Sequence, residues 1–313
     1  MDFSIVIACK QDNPYLRECL SRCLSLEGSF EVLVFPDTPF SHPSKKVRII
    51  STGKIGPAEK RDLALKHAKG EFLAFIDDDA YPSKGWLSSA LPLFSNPHVG
   101  AVGGPAVTPP ADSLSQRVSG LVYSSVLGGG SCTYRYIPAP RRETDDCPSC
   151  NLIVRRSVFS SLGGFDSSFY PGEDTKFCLD LVKSGKKILY DPNVLVYHHR
   201  RSIFLPHLRQ VWNYSVHRGF FVKKFPETSF RFSYFIPSLF TVYVFSVFFF
   251  FRFSGGSLLF AVPLFFYFLA SLSIAAKERS LKALILFPLA LFLTHLAYGI
   301  GFVTGLITRE LYR

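Results

Sequence analysis

The chain of 313 residues is long enough for one large domain or two, and its composition divides it. Residues 1 to about 200 mix charged, apolar and turn residues, whereas Phe, Leu, Val and Ala dominate after about residue 234. The net charge of +11 is concentrated in Arg200, Arg201, Arg209, Arg218, Lys223, Lys224 and Arg231, against the single acid Glu227; with no nucleic-acid-binding motif beside it, this block reads as a juxtamembrane cluster facing the cytoplasm.

Residues 3–9 (FSIVIAC) predict a buried strand, followed by a turn at Asn13-Pro14 and an amphipathic helix to about residue 26. Residues 31–35 predict a second strand ending at Pro36-Asp37, and residues 47–51 a third. Ile55-Gly56-Pro57 breaks the chain before a helix at 58–68 with Lys60 and Arg61 in its first turn. Basic residues there oppose the helix dipole, so an anion is expected nearby, and a phosphate would serve. Strands and helices alternating at this spacing predict right-handed βαβ units in a parallel sheet.

The stretch 70–82, GEFLAFIDDDAYP, organises the rest. Residues 72–76 form a short apolar run suited to a strand covered on both faces. Asp77, Asp78 and Asp79 then stand at its carboxyl end, the edge where ligands bind in open α/β sheets. Three adjacent carboxylates repel one another unless a cation compensates them, and hard oxygen ligands suit Mg²⁺ or Mn²⁺. The plain alternative is a solvated acidic turn.

Residues 84–94 predict a helix and 99–107 a strand, while 108–148, rich in Pro and Gly, gives no regular pattern. Residues 150–155 predict another strand, 157–162 a helical turn ended by Gly163-Gly164, and Gly172-Glu173-Asp174 the start of a helix to about residue 183. Acids at a helix N-terminus are favoured by its dipole, which by itself accounts for Glu173 and Asp174. A strand at 187–196, interrupted by Asp191-Pro192, leads into His198 and His199. Adjacent strand residues point to opposite faces, so at most one of these histidines reaches the acid cluster.

The seven cysteines form no secreted framework, because residues 1–10 lack the basic segment and cleavage site of a signal peptide; the first domain is expected in the reducing cytoplasm. Cys147-Pro-Ser-Cys150 has the spacing of a zinc half-site, but a single CxxC without a partner pair is a weak signal and zinc is the lesser reading; Cys19 and Cys23 are expected to pack on a helix.

Residues 205–223 predict an amphipathic basic helix able to lie in the headgroup plane. Residues 234–251, 257–276 and 283–307 are apolar stretches near the roughly 17–25 residues that cross a bilayer. Pro237, Pro263 and Pro288 are expected to kink them. With the basic block and Lys277, Arg279 and Lys282 inside, residues 252–256 fall outside; three crossings leave Arg309 and Arg313 outside too, against the preference of arginines for the inside, and the alternative is that one stretch is re-entrant or interfacial. His295 lies within the third stretch, as a packed polar residue or a functional one.

The ordered motifs VIACKQ, Asp37, GPAEKRDLALKHAKGEFLAFIDDD, CNLIVRR, GGFD, GED and VYHHRR leading to RQVWNYSVHRG resemble the family 2 glycosyltransferases of GT-A fold, in particular membrane-anchored ones that build surface polysaccharide or lipid-linked glycan. The resemblance covers residues 3–225. It implies an α/β GT-A domain, a Rossmann-like nucleotide-sugar-binding domain, at 1–200, an interfacial segment at 201–232, and an all-α transmembrane region at 233–313. Donor binding would fall to Asp37 at the base, Lys60 and Arg61 near nucleotide and diphosphate, and Asp77 and Asp78. Asp79 and Asp77 would hold the metal, Asp174 would be the catalytic base, and Glu173 would support it. The family's first strand usually ends in Pro, an aromatic and Asn, where Ala8, Lys10 and Gln11 stand here, so base contacts at Ala8 are left open. His198, His199, Gln210 and Arg218 are candidates for diphosphate or acceptor contacts. The QxxRW motif of processive synthases is absent; Gln210, Tyr214, Arg218 and Gly219 resemble a non-processive pattern.

The resemblance thus implies an inverting, Mg²⁺- or Mn²⁺-dependent enzyme at the cytoplasmic face of the cell membrane. It would move a sugar from a nucleotide sugar, a UDP-sugar first among them, to a lipid-linked saccharide. Two alternatives stay open: a polyprenyl-phosphate sugar synthase, and a membrane protein that binds nucleotide sugar without catalysis.

Overall fold

A computed structural model describes residues 1–253 and 258–311. Residues 254–256 of the expected external loop, Ser257 at the head of the second apolar stretch, and Arg313 lie outside the described residues. The chain divides into two units, Met1–Pro109 with Tyr134–His199, and Pro110–Thr133 with Arg200–Arg313.

The first unit carries strands β1 (Phe3–Ala8), β2 (Phe30–Phe35), β3 (Val47–Ile49), β4 (Phe72–Asp77), β5 (Ala80–Pro82), β6 (Val99–Gly103), β7 (Ala106–Val107), β8 (Arg142–Thr144), β9 (Asn151–Arg155), β10 (Lys187–Tyr190) and β11 (Val196–His198). Eight of them form one sheet in the order β3-β2-β1-β4-β9-β6-β10-β8, and β5-β11-β7 form a second. Strands β1 to β4 run parallel, as their sequence predicts. The expectation of a parallel sheet throughout is corrected by β9, which lies antiparallel between β4 and β6. Its run NLIVR is buried like a parallel strand, and burial on both faces erases the alternation that would distinguish the two.

Alternate residues of the central strands enter opposite cores. Ile5, Ile7, Ala74 and Ile76 pack with Leu16, Leu20 and Trp86 on one face. Val6, Leu73 and Phe75 pack with Phe159, Phe165 and Phe177 on the other. Each large side chain buried in this way contributes roughly 1.5–3 kcal/mol, so the sheet is a rigid base for whatever stands at its edge.

The single strand expected at 99–107 is two strands in different sheets, because the chain turns at Gly104-Pro105; a Cβ on Gly104 would lie 1.9 Å from the Val194 carbonyl oxygen. Asn151 ties the two sheets together, donating to the carbonyls of Pro105 at 3.2 Å and Val194 at 2.8 Å and accepting from Trp86 Nε1 at 2.8 Å. The helix expected at 58–68 is two short ones, Pro57–Asp62 and Ala64–His67. Helix Pro14–Leu24 is capped by Asn13, whose side chain accepts from the Leu16 amide at 3.0 Å, and it buries Cys19 and Cys23 as expected.

The second unit is helical. Leu114–Ser124 and Val126–Gly129 belong to it, so the stretch without a sequence pattern is shared between the units. Helix Leu205–Lys224 follows, and among the described residues three helices are long and apolar enough to cross a membrane: Phe232–Phe253, Leu258–Glu278 and Leu281–Ile307. Pro237 and Pro288 lie inside their helices. Pro263 does not interrupt one; it sits in the first turn of Val262–Ala275, where no helical hydrogen bond needs its missing N–H.

Candidate active site

The carboxyl end of β4 gathers the polar side chains of the first unit. Asp77 ends the strand, opposite Ala8 on β1. Arg61, almost fully buried, donates one guanidinium nitrogen to Asp77 at 2.6 Å and another to Glu173 at 3.0 Å. Lys60 bonds Asp37 and donates to the Cys9 carbonyl at 2.5 Å. The two cations expected to await a phosphate are therefore balanced by carboxylates from three separate segments. Sequence spacing could not show this, because the partners lie on other segments, 16 to 112 positions away along the chain.

Asp78 accepts from Asn13 Nδ2 at 2.9 Å. Asp79 lies 3.0 Å from His198 Nε2. Strand β11 brings that imidazole in by pairing antiparallel with β5, His198 opposite Ala80. Burial disfavours the imidazolium, but the Asp79 charge and hydrogen bond outweigh it and raise the His198 pKa to about 10. His199 turns away, as the alternation of a strand requires, to Glu18 Oε2 at 3.2 Å and to the rings of Tyr15 and Tyr81. One ligand atom each from Asp77, Asp79 and His198 lie within 4.8 Å of one another. Two carboxylate oxygens and an imidazole nitrogen fit Mn²⁺, and the oxygens also fit Mg²⁺.

Glu173 and Asp174 open helix Glu173–Lys183. Burial, with the adjacent Asp174 charge, pushes Glu173 up to about 7 against the pull of Arg61. Its Oε2 is buried without a hydrogen-bond partner among the described residues. Asp174 is half-buried and accepts from the amides of Ser149 at 3.1 Å and Thr175 at 2.7 Å. Burial and the Asp146 charge raise its pKa, and those amides oppose the rise. Cys147 is buried, its sulfur 3.5 Å from the Asn151 carbonyl, and burial pushes its thiol well up, as for a packed cysteine.

Gln210 and Arg218 belong to the second unit. Gln210 donates to the Tyr214 hydroxyl at 3.1 Å, and Arg218 donates to Ser229 Oγ at 3.3 Å beside the Tyr234 ring. Two features of the site were not anticipated from sequence. Asn13 reads only as a turn residue, and nothing near Arg61 signals Glu173. The doubled histidine after a strand was the one signal for His198.

This α/β unit, with its acid cluster at the carboxyl end of a central strand, has a GT-A fold, as its structural matches show. Solved structures of that fold match over nearly the whole chain. The mannosyltransferase PcManGT from Pyrobaculum calidifontis, in complex with GDP-Man and Mn²⁺, is 18% identical with a TM-score of 0.56, covering 98% of this chain and 88% of its own. Staphylococcus aureus TarS residues 1–349, in complex with UDP-GlcNAc, is 16% identical with a TM-score of 0.50, covering 100% and 93%. The pattern described as Glycosyl transferase family 2 matches residues 4–163, just over half of the 313 residues, and the chain belongs to that family.

Among curated relatives, a pre-mycofactocin glycosyltransferase of Mycobacterium tuberculosis is 33% identical over 149 residues. That match takes in 47% of this chain but only 31% of the mycobacterial protein. A dolichyl N-acetyl-alpha-D-glucosaminyl phosphate 3-beta-D-2,3-diacetamido-2,3-dideoxy-beta-D-glucuronosyltransferase of Methanococcus voltae is 22% identical over 97% of each chain.

Proposed function

We propose that this protein is a membrane-associated inverting glycosyltransferase that moves a sugar from a nucleotide sugar, a UDP-sugar first among them, to a lipid-linked saccharide at the cytoplasmic face. The observation that carries the reading is the convergence of Asp77, Asp79 and His198 at the carboxyl end of β4, the edge at which α/β sheets bind ligands. The UDP-GlcNAc held by the similar TarS structure supports the donor class, and the dolichyl-linked substrate named for the archaeal relative supports the acceptor class.

Asp77, Asp79 and His198 would hold the Mn²⁺ or Mg²⁺. When bound, the ion supplies positive charge to the departing diphosphate. Asp37, held by Lys60, receives the nucleotide base, and Asp78, steadied by Asn13, faces the donor ribose or sugar. Asp174 accepts the proton of the acceptor hydroxyl. The acceptor oxygen bonds the anomeric carbon while the bond to the diphosphate breaks on the opposite face, and its electron pair leaves with the nucleotide. Glu173 acts through Arg61, keeping Asp77 oriented.

The test is a screen of UDP- and GDP-sugars with membrane-extracted protein, reading nucleotide release with and without lipid-linked saccharides. Metal-dependent release that rises with a lipid acceptor is the expected outcome. No release with any donor, in the presence of Mn²⁺ and acceptor, would overturn the reading. Release stimulated by polyprenyl phosphate alone would favour a polyprenyl-phosphate sugar synthase, in which the acceptor needs no strong base.

A further inference from the structure

Of the three apolar helices, Leu281–Ile307 differs from the others in what surrounds it. Helix Leu205–Lys224 runs parallel to its C-terminal half in close contact. His207 Nε2 lies 2.9 Å from Thr294 Oγ1 near one end, and Lys223 donates to the Thr308 carbonyl at 2.5 Å at the other. Between these points the backbones nearly touch: a Cβ on Gly305 would lie 2.0 Å from the Val216 carbonyl oxygen, and one on Gly219 would lie 2.1 Å from that of Phe302. Residues 294–308 therefore share their depth with helix Leu205–Lys224.

That helix carries Arg209, Lys223 and Lys224 exposed to the surroundings, together with the polar side chains of Gln210 and Asn213. Ionised side chains facing lipid at the level of the acyl chains are strongly disfavoured. If residues 294–308 lie outside the hydrocarbon, only 281–293 are left to cross it, about 20 Å of helix against a core of roughly 30 Å. Those residues are themselves covered on one side, since Ala283, Phe287, Ala290 and Leu291 bury against Val118 and Val122 of Leu114–Ser124. That helix also presents Arg117, 3.1 Å from Glu278.

What Leu281–Ile307 leaves exposed is Lys282 in its first turn and an apolar stripe at helical spacing: Leu281, Ile285, Leu289, Ile300, Val303 and Ile307. We infer that Leu281–Ile307 does not cross the bilayer but lies along its boundary, stripe toward the acyl chains, with the basic helix Leu205–Lys224 beside it at the level of anionic headgroups. Its occupant is the lipid surface, favoured by the positive charge of the neighbouring helix and by continuity with the apolar surfaces of Phe232–Phe253 and Leu258–Glu278. The chain then crosses the membrane at most twice, and residue 310 lies on the same side as residue 277. The arginine at 309 no longer contradicts the positive-inside pattern.

Two measurements on the full-length protein test this independently of any transferase activity. In the first, Lys277→Cys and Glu310→Cys are probed with a membrane-impermeant maleimide in intact cells and after permeabilisation, with the unsubstituted chain as background. Both should be protected in intact cells and labelled after permeabilisation. Labelling of Glu310→Cys alone in intact cells would mean a full crossing and end the inference. In the second, a fluorophore on Val303→Cys is quenched in phosphatidylglycerol and phosphatidylcholine vesicles by lipids carrying a nitroxide either near the headgroup or near the tail end. Stronger quenching by the shallow nitroxide is expected. Stronger quenching by the deep one would show a buried span, and none by either would show the stripe covered by protein, such as a second copy of the chain; each overturns the inference.

Discussion

Arg61 and Glu173 stand 112 positions apart in sequence and are joined at 3.0 Å, with the second guanidinium nitrogen of Arg61 on Asp77. Through this bridge the carboxyl end of β4 is connected to the N-terminus of the helix that carries Asp174. Both Arg61 and Glu173 are buried; Arg61 is the hydrogen-bonded counter-charge of Glu173, while Arg61 itself is held by both Glu173 and Asp77.

Removing the arginine should therefore be costly. Arg61→Ala leaves two carboxylates close together with no counter-charge and is expected to lose about 3–5 kcal/mol, as broken buried pairs do. Arg61→Lys should recover little, because an ammonium cannot make the forked contact. Thermal unfolding of the detergent-extracted full chain measures both, and an unfolding temperature for Arg61→Ala equal to that of the parent would show that the bridge contributes nothing.

The acid and histidine cluster predicts a cation site with a binding signature of its own. Titration of Mn²⁺, followed by loss of its free electron-spin signal, should show a site that Asp79→Asn weakens by at least about tenfold, with His198→Gln weaker by a similar factor. Undiminished Mn²⁺ binding by both variants would reduce the cluster to an acidic turn.

Asp174 and Glu173 should separate in kinetics. With Asp174 as base, Asp174→Asn lowers kcat by roughly 10²–10⁴-fold and leaves donor affinity nearly unchanged. Glu173→Gln loses less, because it keeps one acceptor for Arg61. Donor binding and transfer are measured separately for each. Near-normal transfer by Asp174→Asn would refute the base assignment and favour a phosphate acceptor.

Asp62, next to Arg61 in the chain, offers a pH test on a carboxylate outside the proposed cation site. It accepts from the Phe165 amide at 2.8 Å, and burial raises its pKa from 3.8 to about 7. The native state then binds this proton more tightly than the unfolded chain, so the contribution of Asp62 to stability is fully present below pH 3.8 and is lost as pH rises through about 7. Asp62→Asn keeps the acceptor and should flatten the stability profile over that window. An unchanged slope in unfolding experiments across it would show that Asp62 does not titrate there.

The same carboxylate restricts its neighbour. Gly164 has φ of +83°, and an added Cβ would lie 2.5 Å from Asp62 Oδ1. Gly164→Ala is expected to cost about 1–3 kcal/mol from the backbone conformation, with the clash in addition. A loss no larger than that of an exposed Gly→Ala elsewhere would mean that the turn relaxes freely.

By itself the sequence determined what depends on neighbours along the chain. The run FLAFI is apolar on both faces and ends in three acids, so a doubly covered strand with carboxylates at its edge follows from composition within a dozen residues. The Asn13-Pro14 turn and the acid-led start of Glu173–Lys183 are equally local. The direction of β9 and the partners of Lys60 and Arg61 were decided only by the tertiary structure. So were the choice of His198 over His199 for Asp79 and the charged helix beside the third apolar stretch. A buried strand has the same apolar pattern in either direction. An ion pair between side chains 16, 23 or 112 positions apart depends on sheet register and helix placement, which residue spacing along the chain does not encode.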